Sequence, residues 1–211
     1  MILKLRITLL SLLALCLVAV PVMAQTVYSN GPINGTTDAW TINSGFVVSD
    51  TFTVGSGGAS ISGLVFGEWV FPGDVLEEAG ISITSSEFGG TVYFNDQGVN
   101  FTQSGCSSNQ YGFNVCTATS APFGPVNLAA GTYWLNLDNA VVNDDPVYWD
   151  ENSGPSRASE NSVGTIPSEA FTLLGGTTTT TTSSSVPEPS SIMLFGSGVL
   201  GLAGILRRTL F

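Results

Sequence analysis

The chain of 211 residues contains no histidine and only five lysine or arginine residues. The commonest general base and metal ligand of proteins is therefore missing. Between residues 25 and 185, Arg157 is the only basic residue, against fifteen carboxylates. One cation cannot neutralise a phosphate backbone, so the composition excludes nucleic-acid binding. It also leaves carboxylates as the main catalytic groups of this region.

Residues 1–24 have the pattern of a secretory signal peptide. Lys4 and Arg6 precede an apolar run over residues 7–20, and Ala24 ends a small-residue cleavage site. A run of about 14 apolar residues is shorter than the ~20 that span a bilayer, so cleavage is favoured over anchoring. The pattern predicts an exported protein.

Cysteine is scarce as well, and only Cys106 and Cys116 remain once the signal peptide is removed. An oxidising compartment favours their pairing. A zinc site needs more soft ligands than two thiols, and a nucleophilic cysteine needs an activating base. We therefore predict one disulfide that bridges a hairpin with its turn at residues 107–110.

An apolar segment at residues 190–206 is predicted to be a transmembrane helix. A helix of this length spans ~25 Å, slightly less than a ~30 Å hydrocarbon core, and bilayers tolerate such a mismatch. Arg207 and Arg208 follow the segment and place that end in the cytoplasm by the positive-inside rule. The Thr/Ser-rich residues 177–185, which precede the tail, predict a flexible linker.

Four residues, Val186, Pro187, Glu188 and Pro189, lie between the linker and the apolar segment. This motif, the apolar helix and the arginine pair together resemble the PEP-CTERM sorting signal that exosortase recognises in exopolysaccharide-producing Gram-negative bacteria. The resemblance covers residues 186–211 and implies that the proline-glutamate-proline motif is recognised and that the arginines stop transfer.

The same resemblance implies the route and the partners of the protein. A precursor would be anchored transiently in the inner membrane, where an exosortase-like membrane protease and the secretion machinery would act on it. The protein would then reach the cell surface or the extracellular matrix.

Residues 25–176 are predicted to form one all-β domain, a single antiparallel β-sandwich of jelly-roll type. Short runs with β propensity alternate with turn residues, and no helical periodicity extends over ten residues. The predicted strands are residues 37–46, 48–54, 60–71, 80–84, 91–94, 99–104, 111–119, 131–137, 147–150 and 170–174. Residues 72–79 are predicted as one helical turn.

Glu68 beside Trp69, followed by Asp74, Glu77 and Glu78, is the first segment rich in acids and aromatics. Glycoside hydrolases need two carboxylates about 5–9 Å apart, flanking the sugar. Nothing in the spacing of these acids predicts such a pair, so we do not expect an enzyme.

A second segment of this kind runs from residue 143 to 152. Its oxygen atoms suit calcium and its aromatic rings suit sugars. The candidate metal or glycan ligands are Asp144, Asp145, Trp149, Asp150 and Glu151. The segment lacks the regular spacing of a calcium loop, and its residues are also turn formers, so a solvated turn remains an alternative.

Two functions of different classes follow. The first is a structural or adhesive protein of the cell surface or matrix, which we prefer because it requires no ligand site. The second is a carbohydrate-binding module for extracellular polysaccharide, with calcium as an optional cofactor.

Overall fold

A computed structural model describes residues 25–144 and 146–176 of the chain. These residues form fourteen β-strands and no helix. The strands are β1 (Gln25–Ser29), β2 (Ala39–Thr41), β3 (Val48–Val54), β4 (Ala59–Val70), β5 (Leu76–Ser86), β6 (Gly89–Ser108), β7 (Asn114–Ser120), β8 (Val126–Leu128), β9 (Gly131–Val142), β10 (Tyr148–Asn152), β11 (Ala158–Glu160), β12 (Gly164–Ile166), β13 (Ser168–Glu169) and β14 (Phe171–Gly176).

All strand pairs are antiparallel and belong to one continuous sheet, in the order β1-β14-β4-β7-β6-β5-β9-β3-β11-β12. Strand β10 joins β2, β4 and β13, and β8 pairs with β4. The all-β class predicted from the sequence is therefore confirmed.

Strand β6 connects the two halves of the sheet. Its first part, up to Asn100, pairs with β5, and its second part, from Phe101 onward, pairs with β7. Most β6 side chains are exposed, and each part of the strand pairs with a single neighbour. The predicted strands 91–94 and 99–104 are thus parts of one strand.

The core collects the apolar side chains that alternate along the strands. In β3, Val48, Phe52 and Val54 are buried, and Asp50 shares their face. The Phe52 ring lies 6.0 Å from the Tyr28 ring of β1, so side chains from distant positions in the strand order contact each other in the core. The apolar burial drives this packing.

Several strand limits differ from the prediction. The run 48–54 is confirmed without change, whereas the predicted helical turn at 72–79 is wrong, since β5 begins at Leu76. Within the described residues, no helix is long and apolar enough to cross a membrane. The predicted helix 190–206 lies outside them.

Candidate binding site

Strand β10 directs its successive side chains to opposite faces of the sheet. Trp149 pairs with Glu68 of β4, and both are 0% exposed. The Trp149 ring packs against Phe66 and Phe171 in the core. A ring in this position offers no surface to a sugar, so the structure places Trp149 in the core rather than in a glycan site.

Asp150 faces the other way and anchors the loop at residues 31–36. Its Oδ2 accepts a hydrogen bond from Asn34 N at 2.8 Å. Its Oδ1 accepts from Gly35 N at 2.9 Å and from Trp69 Nε1 at 2.6 Å. Burial raises the pKa of Asp150, and these three hydrogen bonds oppose the rise by favouring the charged form. One carboxylate thus fixes the loop and the indole together.

The loop lies directly on β4 because Gly67 has no side chain. A Cβ at Gly67 would lie 2.9 Å from Ile33 Cγ2 and 2.8 Å from Asp150 Cβ. Gly35, with φ +64°, is equally close to β7, where a Cβ would lie 2.6 Å from Val115 Cγ2. The loop therefore forms a tightly packed wall.

The opposite wall is the hairpin of β6 and β7, where the predicted Cys106–Cys116 disulfide is confirmed. The register shifts between Ser104 and Ser107, so that Gly105 and Cys106 together face Cys116. Gly105 has φ +64°, as expected for the glycine of a β-bulge. The bulge sets Cys106 opposite its partner.

The turn of this hairpin is organised by Asn109. Its Oδ1 accepts hydrogen bonds from Tyr111 N at 2.9 Å and from Phe113 N at 3.0 Å. Its Nδ2 donates to Gly35 O at 3.3 Å and so ties the hairpin to the loop. The turn begins later than predicted, because β6 continues through Ser108.

A cleft of about 510 Å³ lies between the loop and the hairpin. The residues that line it are Ile33, Asn34, Gly35, Thr36, Gly105, Ser107, Ser108, Asn109, Gln110, Val115, Cys116 and Thr117. None of them is charged, although the chain carries a formal net charge of −11. The cleft is therefore a neutral polar site on an acidic protein.

Tyr111 borders the cleft, since its hydroxyl donates a hydrogen bond to Thr36 O at 3.3 Å. Its ring stacks on Trp69, with centroids 5.7 Å apart and an interplanar angle of 20°. Phe113 packs on Trp69 as well, at 5.8 Å. Tyr111 nevertheless remains 53% exposed, so one ring face is held by the protein while the side chain stays accessible.

A buried polar network surrounds Asn30, directly before the loop. Asp50 Oδ2 accepts from Asn30 Nδ2 at 3.1 Å and from Glu169 N at 2.7 Å. Burial raises the pKa of Asp50 to about 7, although its hydrogen bonds lower it. Burial, and then the charge of Asp50, raise the pKa of Glu169 well above the usual range. Burial of a carboxyl group disfavours its charged form.

The remaining candidate ligands are separated. Asp144 is exposed on the turn after β9, and Asp145 lies outside the described residues. Glu151 is buried, and its Oε2 accepts from Trp40 Nε1 at 3.0 Å. Among residues 25–144 and 146–176, no group of three or more acids or cysteines is arranged to hold a metal ion.

The first acidic segment does not form an accessible site either. Glu68 is 0% exposed on the core face, while Trp69 points to the cleft side and Glu77 is exposed on β5. Burial raises the pKa of Glu68 to about 7. Within the described chain, neither of its carboxylate oxygens has a hydrogen-bond partner.

Sequence reasoning missed the cleft, whose walls come from residues 31–36 and 105–117. The Asn34-Gly35 pair signals a turn, and Asn109 signals another, but neither indicates that the two turns meet. The direct link between the two turns is the hydrogen bond from Asn109 Nδ2 to Gly35 O. Asp150, which the sequence analysis named as a metal or glycan ligand, is instead the buried acceptor that holds the 31–36 loop.

The family model of the PEP-CTERM protein-sorting motif matches residues 185–208, at the C-terminal tail. Comparison with curated proteins finds no match to the chain, and neither does comparison with solved structures. The sorting residues Val186, Pro187, Glu188 and Pro189 fall within this match and outside the described residues, as do Arg207 and Arg208.

Proposed function

The chain carries a PEP-CTERM protein-sorting motif at its C-terminal tail, and from this premise we propose a structural or adhesive protein of the cell surface or extracellular matrix. The motif indicates an exported protein that is anchored in a membrane before exosortase processes it. The surface or matrix of a Gram-negative bacterium is the proposed destination.

The proposed domain organisation separates sorting from the exported body. Residues 1–24 are the signal peptide, 25–176 the body, 177–185 a flexible linker and 186–211 the tail, with its transmembrane helix at 190–206. The ring contact between Tyr28 and Phe52 supports a body that is sandwich-like, with two sheet halves around one core. Such a body needs no tail contact for stability.

A non-catalytic role is supported by the burial of Glu68 and Asp50, both 0% exposed. General acid–base catalysis requires a carboxyl group within reach of the substrate. The proposed partners are the exosortase-like protease and the secretion machinery, and extracellular polysaccharide once the body is outside.

The sorting proposal is tested by fractionation of the native host with an antibody to the body. We would replace both Pro187 and Pro189 by alanine, or Glu188 by glutamine. Because these residues lie outside the apolar segment, neither variant should change membrane insertion. The uncleaved precursor should then accumulate in the inner membrane. Ser184→Ala, just outside the matched region, is the control and should mature as the wild type does.

Deletion of residues 186–211 should release the body in soluble form, because the linker uncouples the tail from the body. If the Pro187/Pro189 variant matured and reached the surface normally, the sorting proposal would be wrong. Retention of the deleted protein in the inner membrane would contradict the separation of tail and body.

Carbohydrate binding is the second candidate, and the uncharged cleft beside Tyr111 is the observation that favours it. An adhesive protein of the matrix requires a surface that recognises matrix material. Calcium is not needed at this cleft, because no carboxylate lines it.

A further inference from the structure

We propose that the cleft between the 31–36 loop and the β6–β7 hairpin binds a segment of a neutral, hydroxyl-rich polysaccharide. The inference rests on the proposed adhesive function and names its ligand class. Its basis is the combination of free polar groups, an aromatic platform, missing charge and rigid walls at one place.

The polar groups of the cleft divide into fixed and free ones. Asn34 donates to Glu151 O at 2.9 Å, and Asn109 bonds its own turn and Gly35 O. In contrast, the side chains of Ser107, Gln110 and Thr117 make no hydrogen bond to another part of the described chain. These three can donate to and accept from sugar hydroxyls.

Tyr111 supplies the apolar contact that sugars also need. Trp69 stacks on one ring face and Thr36 O holds the hydroxyl, so the ring orientation is fixed before a ligand arrives. The side chain is 53% exposed at the border of the cleft. A rigid aromatic ring offers contact area at little cost in conformational entropy, and its free face can stack on the C–H face of a sugar.

Charge decides which polysaccharides fit. The formal net charge of −11 repels an anionic chain as it approaches, and no basic residue lines the cleft to offset this. The same net charge would attract a cationic chain to the protein, but no carboxylate in the cleft lining would pair with it. An uncharged polysaccharide is not repelled by the net charge and needs no ion pair in the cleft.

The walls are held independently of any ligand. Asp150 fixes the loop through two backbone amides, and the disulfide fixes the hairpin. Binding therefore orders few additional groups, which removes part of the usual entropic cost.

The test is affinity electrophoresis of the full protein, extracted from its native host, through gels that contain dextran, laminarin or galactomannan, with alginate as the anionic comparison. At least one neutral polysaccharide should retard the wild type, and alginate should not. Tyr111→Ala should weaken that retardation by about tenfold, the loss expected from an aromatic contact, and Gln110→Ala should weaken it to a smaller extent.

Tyr93→Ala is the matched control, since Tyr93 is 44% exposed on β6 but packs on Tyr133, away from the Trp69 and Thr36 contacts that place Tyr111 at the border of the cleft. It should bind as the wild type does. A near-UV circular dichroism spectrum shows whether each variant is folded. If Tyr111→Ala is not folded, Tyr111→Phe provides the second test, because it keeps the ring and should bind nearly as the wild type does.

Three results would overturn the inference: no retardation by any of the neutral polysaccharides, retardation that both cleft variants retain in full, or preference for alginate. None of these results bears on the sorting proposal, because fractionation measures processing of the tail whereas electrophoresis measures binding by the cleft. Normal maturation of the Pro187/Pro189 variant would refute the proposed function by itself.

Discussion

Replacement of Glu68 by glutamine should stabilise the protein at alkaline pH and leave it nearly unchanged at acidic pH. Glu68 is fully buried beside Trp149, and both of its carboxylate oxygens lack partners among the described residues. Burial raises its pKa from 4.5 to about 7. Each pKa unit is worth about 1.4 kcal/mol, so ionisation costs the folded state roughly 3 kcal/mol.

The sign follows from proton uptake. Because the pKa of Glu68 is higher in the folded than in the unfolded chain, the folded state binds more protons between pH 4.5 and about 7. The stability contributed by this group is greatest below that window and is lost as the pH rises through it. Glutamine has nearly the same shape and does not titrate, so this loss should disappear in the variant.

The assay is urea unfolding followed by tryptophan fluorescence at pH 5 and pH 8, with the disulfide intact. The gain of the variant over wild type should be about 2–3 kcal/mol larger at pH 8 than at pH 5. Glu77→Gln, on the exposed side of β5, is the control and should change stability by less than about 0.5 kcal/mol at both values. An equal Glu68→Gln effect at both pH values would refute the reasoning.

Two further predictions concern the walls of the cleft. Replacing Cys106 and Cys116 by serine should lower the free energy of unfolding, measured with urea, by about 2–3 kcal/mol, a modest value because the disulfide closes a short loop. Unchanged stability would contradict this. Alkylation of the non-reduced wild type should label neither thiol. Gly67→Ala should lower stability by about 1–3 kcal/mol in thermal unfolding, because its Cβ would collide with Ile33, and Gly55→Ala, which meets nothing within 4 Å, should not. Equal melting temperatures for the two glycine variants would show that the loop does not press on β4.

The limits of β3 could be predicted from the sequence because every determinant is local. Val48, Phe52 and Val54 alternate with polar residues, and Gly55 follows the run directly. Strand β6 could not, since its polar residues near Gly98 resemble a turn. The strand continues through them because each half of the sheet supplies a partner, and partners are not visible in the sequence.

The candidate site was predictable only in part, for the same reason. Spacing and compartment suffice for the disulfide, and the residue order suffices for the sorting tail. The roles of Trp149 and Asp150 depend on which face of β10 meets the core. The sequence of β10 does not indicate the buried face, because acidic and aromatic residues occur on both faces. The contacts of the Trp149 ring with Phe66 and Phe171 show that Trp149 lies on the core face.

Strand β4 also determines how the described body would carry a mechanical load. The cleft lies beside Trp69, whereas the last described residue, Gly176, pairs with Ser60 near the other end of β4, about 30 Å away at 3.3 Å per residue. Ladder hydrogen bonds run across the strands. A pull between a bound polymer and the C-terminal side of the body would therefore stress the bonds between β4 and β14 in shear, all together, instead of opening them one at a time.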